Sequence, residues 1–189
     1  MTASPVERQK YTVDDLLAMP DDGKNYELTK GEIVEVGTSN QKHSTLGVWL
    51  VFKLMTHLMT ARIGGRAGGA DATYILDPEN VKVPDVSYLT AESVANILPG
   101  HTFCPFGPDF AIEIKSTRDS TKYMQWLAEL YIRTRTRLVW VIDPIDETVT
   151  VYQPGQTAVI FTSGTLDASA VLPGFKIDLA DMFAQIENI

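Results

Sequence analysis

Apolar residues recur along this chain with two periods. Between Gln41 and Arg62 the leucines Leu46, Leu50, Leu54 and Leu58 fall four apart, with Trp49 and Phe52 widening the stripe. That spacing predicts the longest helix of the molecule. Elsewhere the period is two, the mark of a strand. YELTKGEIVEV (26–36) reads as two strands around a tight Lys30-Gly31 turn, a β-hairpin. ATYIL (72–76) and VPDVSYL (83–89) read as strands separated by a DPEN turn. DFAIEIKS (109–116) alternates as well, whereas LVWVID (138–143) is apolar throughout, as expected of a strand covered on both faces. A helix over about 120–133 lies between these last two, so the run has the size of a βαβ crossover and predicts parallel neighbours.

The remaining segments are shorter. Thr12 followed by Asp15 resembles an N-cap with an acidic first turn, opening a helix through Leu16, Leu17 and Met19 that Pro20 and the DDGK turn end. GGRAGGA (64–70) reads as a flexible loop, since its glycine spacing matches neither a P-loop nor a dinucleotide fingerprint. Pro99 to Pro108 reads as a loop, TVTVYQP (148–154) as an edge strand, and VLPGFKIDLADMF (171–183) as a turn and a short helix. The expectation is one α/β domain over residues 1–189, with a central mixed β-sheet flanked by helices and an N-terminal helix and β-hairpin.

Composition narrows the setting. A hydrophobic share of 44% and a charged share of 21% are ordinary for a soluble globular protein. One cysteine, Cys104, rules out an internal disulfide and suits a reducing compartment. The start, MTASPVERQKYTVDD, has no apolar core for a secretory signal, and LGVWLVFKLMTHLM (46–59), broken by Lys53 and His57, is too short and polar to span a bilayer. A cytoplasmic protein without membrane partners is expected. The net charge of −8 argues against loose affinity for nucleic acid. Between Lys115 and Arg137, however, six basic residues (Lys115, Arg118, Lys122, Arg133, Arg135, Arg137) face only Asp119 and Glu129, a local strip that could meet a phosphate backbone.

DFAIEIKS poses a chemical question. Its alternation sets Asp109, Ala111, Glu113 and Lys115 on one face, with Lys115 about 7 Å along from Glu113 by strand rise. A plain ion pair on a half-exposed strand explains this, with Asp85 of VPDV as a turn aspartate. A metal site explains it too. If strands 83–89 and 110–116 pair, Asp85 and Glu113 come together, and carboxylates held close destabilise one another unless a cation lies between them. Mg²⁺ takes such hard oxygen ligands and keeps several waters. It can acidify bound water and polarise a phosphoryl group, with Lys115 orienting the water or offsetting charge on the phosphate. An upstream acid, Glu27 or Glu32, is the further candidate.

Residue by residue, the chain resembles the Uma-type family of bacterial proteins (domain of unknown function 820), a branch of the PD-(D/E)XK restriction-endonuclease-like superfamily. The landmarks are YTVDDLLAMP, YELTKGEIVE, His43 opening the long helix, VPDVSYL, DFAIEIKS, Tyr131, LVWVIDP, TVTVYQPG and LPGFKIDL, in this order over almost the whole length. The resemblance implies a restriction-endonuclease-like core with Asp85, Glu113 and Lys115 as the catalytic D…E-x-K triad. It implies Mg²⁺ (or Mn²⁺) held by Asp85, Glu113 and the carbonyl of Ile114, with Glu27 as a further ligand. His43 matches a recurrent family histidine near the site; a structural hydrogen bond at the helix start is its other explanation. Many relatives carry the lysine on the following helix instead, at a position matching Leu127, with Lys122 the nearest basic residue here. Relatives often have glycine in the turn where this chain has RTRTR (133–137). These arginines either grip phosphates or complement the carbonyl end of the preceding helix.

A Mg²⁺-dependent endonuclease acting on DNA is therefore expected, as a homodimer if strand 148–154 and the exposed face of the long helix are buried between copies. A catalytically silent or regulatory homo-oligomer that keeps the nuclease fold is the alternative, and the acidic net charge speaks for it.

Overall fold

The computed structural model describes residues 10–20, 22–187 and 189. The expectations about a leader, resting on residues 1–9, and part of the DDGK turn at residue 21 lie outside the described residues.

Strands, most of them short, lay out the architecture. β1 (Tyr26–Thr29) and β2 (Glu32–Glu35) form the expected hairpin, with Lys30 at φ 54° and Gly31 at φ 79°. Two consecutive left-handed residues give the turn whose twist suits a hairpin. β4 (Tyr74–Asp77) and β5 (Asn80–Lys82) join them in a four-stranded sheet of order β2-β1-β5-β4. The larger sheet has six strands in the order β10-β9-β8-β7-β6-β3. Its members are β3 (Arg66–Gly68), β6 (Val86–Leu89), β7 (Phe110–Ile114), β8 (Leu138–Asp143), β9 (Thr148–Tyr152) and β10 (Val159–Phe161). Only β7 and β8 run parallel, the rest antiparallel, so the sheet is mixed. β11 (Thr165–Asp167) and β12 (Lys176–Asp178) make a separate two-stranded ribbon.

Each helix starts where a side chain caps it. In α1 (Val13–Leu17) Thr12 and Asp15 form a capping box. α2 (Gln41–Ala61) opens with Asn40 accepting from the His43 N–H at 3.0 Å and ends at Arg62 in the left-handed region. Leu46, Leu50, Leu54 and Leu58 are buried as one stripe against the six-stranded sheet. Replacing one of them by alanine typically costs about 2–5 kcal/mol. α4 (Thr121–Thr134), capped by Ser120, packs on the other face of the sheet. α3 (Ala91–Ala95) and α5 (Leu179–Phe183) are single turns extended.

The alternation of β7 divides the core. Phe110, Ile112 and Ile114 join the α2 side, while Ala111 joins Met124, Leu127, Ala128 and Tyr131 on the α4 side. Every residue of β7 is buried, so the half-exposed strand weighed above is not what forms.

Several short elements were not expected. The glycines of 64–70 are not a flexible loop but carry β3. A Cβ on Gly68 would stand 2.5 Å from Ser87 Oγ and 2.7 Å from Ala72 Cβ, so glycine there permits close strand packing. Strand β6 begins at Val86, because Pro84 has no N–H to give a ladder and marks the passage from one sheet to the other. β5 precedes it as a strand of its own. β9 is not an edge: β10 covers it. Phe52 lies on the exposed side of α2 rather than in its buried stripe.

Candidate active site

Pro84 turns the chain so that Asp85 leads into β6, which pairs with β7 through Val86↔Ile112, Ser87↔Ala111 and Tyr88↔Phe110. The expected pairing of these two segments is present, and it carries Asp85 to the end of β7. There Asp85 Oδ2 accepts the Ile114 N–H at 2.7 Å, and His43 Nε2 from the first turn of α2 lies 3.2 Å from the same oxygen. Asp85, Glu113, Ile114, Glu27 and His43 all line one cleft of about 630 Å³. The loop after β2 and the first turns of α2 and α4 form its walls.

Electrostatics in this cleft are strained. Burial first, and then the neighbouring charges of Asp85 and Glu27, push the Glu113 carboxyl well above the usual carboxylate range. The Tyr131 hydroxyl and Lys82 pull the other way without cancelling this. Tyr131 is fully buried, and its hydroxyl has no hydrogen-bond partner of good geometry although it adjoins Glu113. For His43, burial disfavours the cation, but Asp85, the Ile114 carbonyl and Asp119 outweigh it, so its pKa rises overall.

Glu27 is held differently. Its Oε1 accepts the Val83 N–H at 2.9 Å, and its Oε2 pairs with Lys82 Nζ at 2.8 Å. Glu32, the alternative acid, is exposed on β2 and outside the cleft lining.

Lys115 departs from expectation. β7 ends at Ile114, yet the Lys115 N–H still donates to the Ile142 carbonyl at 2.8 Å, so the ladder with β8 runs one residue further. Parallel β8 sets Ile142 opposite Ile114, and the Lys115 Nζ pairs with Asp143 Oδ2 at 2.5 Å. Lys115 is absent from the cleft lining.

Among the described residues no three His, Cys, Asp or Glu side chains converge as a ready metal cluster. The donors present nevertheless fit one hard cation. Two carboxylates and a main-chain carbonyl converge at the end of β7, and the unrelieved Glu113 carboxyl beside Asp85 is what a divalent ion between them would relieve.

Comparison with known proteins gives the chain relatives. Residues 13–180 match the Uma2 family, described as "Putative restriction endonuclease". The chain belongs to this family. A crystal structure of a "putative nuclease belonging to DUF820" from Anabaena variabilis superposes with a TM-score of 0.81, at 23% identity over 92% of this chain and 98% of that one. It shares the fold of this Uma2 member, as expected from the sequence. No curated protein matches the chain.

Other groups of this Uma2 protein sort into near and far. Arg118 lines the cleft, and so does Leu127, the α4 position singled out by the resemblance. Lys122 is exposed on the first turn of α4 and outside the lining. Arg135 Nη2 meets Ser93 Oγ at 2.6 Å and its guanidinium stacks over Phe106, while Arg137 holds the Ala170 carbonyl at 2.8 Å. Both are thus tied down within the chain, and the basic strip shrinks. Lys82 and Tyr123 were missed. The signal for Lys82 was its place between Val81 and Val83, where a charge is out of pattern for a short buried strand.

Proposed function

We propose that this Uma2 protein is a Mg²⁺-dependent endonuclease (with Mn²⁺ able to substitute) hydrolysing phosphodiester bonds in DNA. The observation that carries this is the placement of Asp85, the buried Glu113 and Ile114 around one cleft, with the Glu113 carboxyl pushed up by burial and by the neighbouring acids. The family description and the nuclease name of the Anabaena variabilis structure support the substrate class. A divalent ion bound there supplies Lewis acidity and lowers the pKa of its water.

The chain's own groups do the positioning. Asp85 is held by the Ile114 N–H through one oxygen, so its other oxygen would be the one to hold the ion. Glu113 is fixed by a strand buried on both faces. Arg118 is the cleft's cation for a phosphate oxygen. Lys115 assists the attacking water in this scheme only if it leaves Asp143, with which it is paired.

The chain acts as a homodimer through α2. Val48, Phe52, Met55 and Met59 form an exposed apolar stripe opposite the buried leucines, and exposed stripes of this kind mark interaction surfaces. Their 4-3-4 spacing is self-complementary. A two-fold axis between residues 53 and 54 sets Val48 against Met59 of a second copy, and Phe52 against Met55. No acidic or basic residue other than Lys53 lies between Val48 and Met59, apart from His57 on the inner side.

Incubation of purified protein with plasmid DNA tests the activity. Cleavage is expected with Mg²⁺ or Mn²⁺, is lost with chelator, and is lost in Glu113→Gln. Equal cleavage by Glu113→Gln overturns the assignment, as does cleavage that ignores chelation.

A further inference from the structure

We infer that the Lys82 ammonium, paired with Glu27 at the edge of this cleft, takes the place of a second cation, so that the centre takes one divalent ion per chain and not two. This rests on the metal reading above and fixes its stoichiometry.

Lys82 closes β5, a strand with all three residues buried, and its side chain is only 1% exposed. Three oxygens surround its Nζ: Glu27 Oε2 at 2.8 Å, Thr29 Oγ1 at 2.5 Å and the Tyr123 hydroxyl at 3.4 Å. The rings of Tyr123 and Trp126 lie 5.9 and 5.8 Å from it. Taking an ammonium out of water costs several kcal/mol unless its surroundings replace the lost hydration. Oxygens and aromatic faces on several sides do so here, so the charge is built in and not incidental.

Its partner is thereby neutralised and held in place. One oxygen of Glu27 meets Lys82 and the other accepts the Val83 N–H. An acid so neutralised attracts a further cation less than Asp85 and Glu113 do. The count of free side-chain donors falls to Asp85 and Glu113, in keeping with the absence of a three-ligand cluster among the described residues. Glu27 and Lys82 both act on the Glu113 charge, which places the ammonium within electrostatic reach of the acid that a second ion would share with Glu27. A fixed monovalent charge therefore already offsets the Glu27 carboxylate on which a second divalent ion would depend. Lys82 is absent from the cleft lining and acts through Glu27, so it is a positioning residue.

Counting bound Mn²⁺ tests this without reference to cleavage. Equilibrium dialysis, with electron paramagnetic resonance reading free Mn²⁺, should give one ion per chain for the wild type and two for Lys82→Gln. Lys82→Arg, which keeps the charge, should return the count to one. Two ions on the wild type overturn the inference and leave the metal centre standing. A count of one for a folded Lys82→Gln also overturns it. No binding at all to the wild type overturns the metal centre itself. Should Lys82→Gln fail to fold, Glu27→Gln decides. One ion, bound within about threefold of the wild-type affinity, supports Glu27 as a non-ligand, and a tenfold or greater loss, about 1.4 kcal/mol, overturns it.

Discussion

Lys82 and Lys115 each pair with a carboxylate near the end of a strand, yet their settings are opposite. Lys82 is enclosed, with Glu27, Thr29, Tyr123 and two aromatic faces around it. Lys115 meets Asp143 at the rim of the sheet, where both side chains keep some contact with water. The lysine in the recognisable E-x-K spelling is thus drawn sideways onto β8, and an unmarked lysine is the one paired with Glu27. Sequence spacing along a strand sets the face of a side chain but not which neighbour on that face captures it.

Activity separates the two most sharply. Glu113→Gln or Asp85→Asn is expected to cut plasmid cleavage by about a hundredfold or more, and Lys115→Ala by less than about tenfold if its amine stays with Asp143. A hundredfold loss in Lys115→Ala, with folding intact, would show that the pair opens during turnover. Stability ranks next. Lys82→Met leaves Glu27 facing a void of charge and should cost about 3–5 kcal/mol in urea unfolding. Lys115→Ala should cost about 1 kcal/mol, and less as salt is raised.

A smaller effect has the reverse sign. Because Glu113 has its folded pKa raised, the folded state holds its proton more tightly than the unfolded chain. Its ionisation therefore opposes folding as pH rises past the unfolded value, and the loss deepens until the folded pKa is passed. Without metal, Glu113→Gln should raise Tm at neutral pH, by about 2–4 °C per kcal/mol relieved. That gain should vanish below about pH 4, where the wild-type carboxyl is protonated in both states. A metal-free Tm that is unchanged at pH 7 would mean Glu113 is already satisfied. Smallest of all is the effect of Phe52→Asp: sedimentation should show it as a monomer whose Tm no longer depends on protein concentration, and a persisting dimer would place the interface elsewhere.

The larger elements were legible because each has a dense local code. The four-residue leucine spacing gave α2, the Lys30-Gly31 turn gave the first hairpin, and the apolar run 138–143 gave a strand parallel to β7. Three-residue strands such as β3, β5 and β12 carry too few positions for a period to emerge, and only their partners define them. Asp85, Glu113 and Glu27 were legible as candidates from acid chemistry and resemblance. The orientation of Lys115 was not, since Asp143 is 28 residues away in sequence and reaches it only through the parallel register. Nor was Lys82, whose meaning depends on Glu27 and Tyr123 from two other elements.

The single parallel pairing also orders events during synthesis. Glu27, Asp85 and Glu113 leave the ribosome in turn, but β7 stays a bare border until α4 has crossed over and β8 docks beside it. A nascent chain stalled before residue 143 carries all three acids and the β6–β7 pairing but not a complete β8, so the strand that closes the sheet beside Glu113 arrives only with the last quarter of translation.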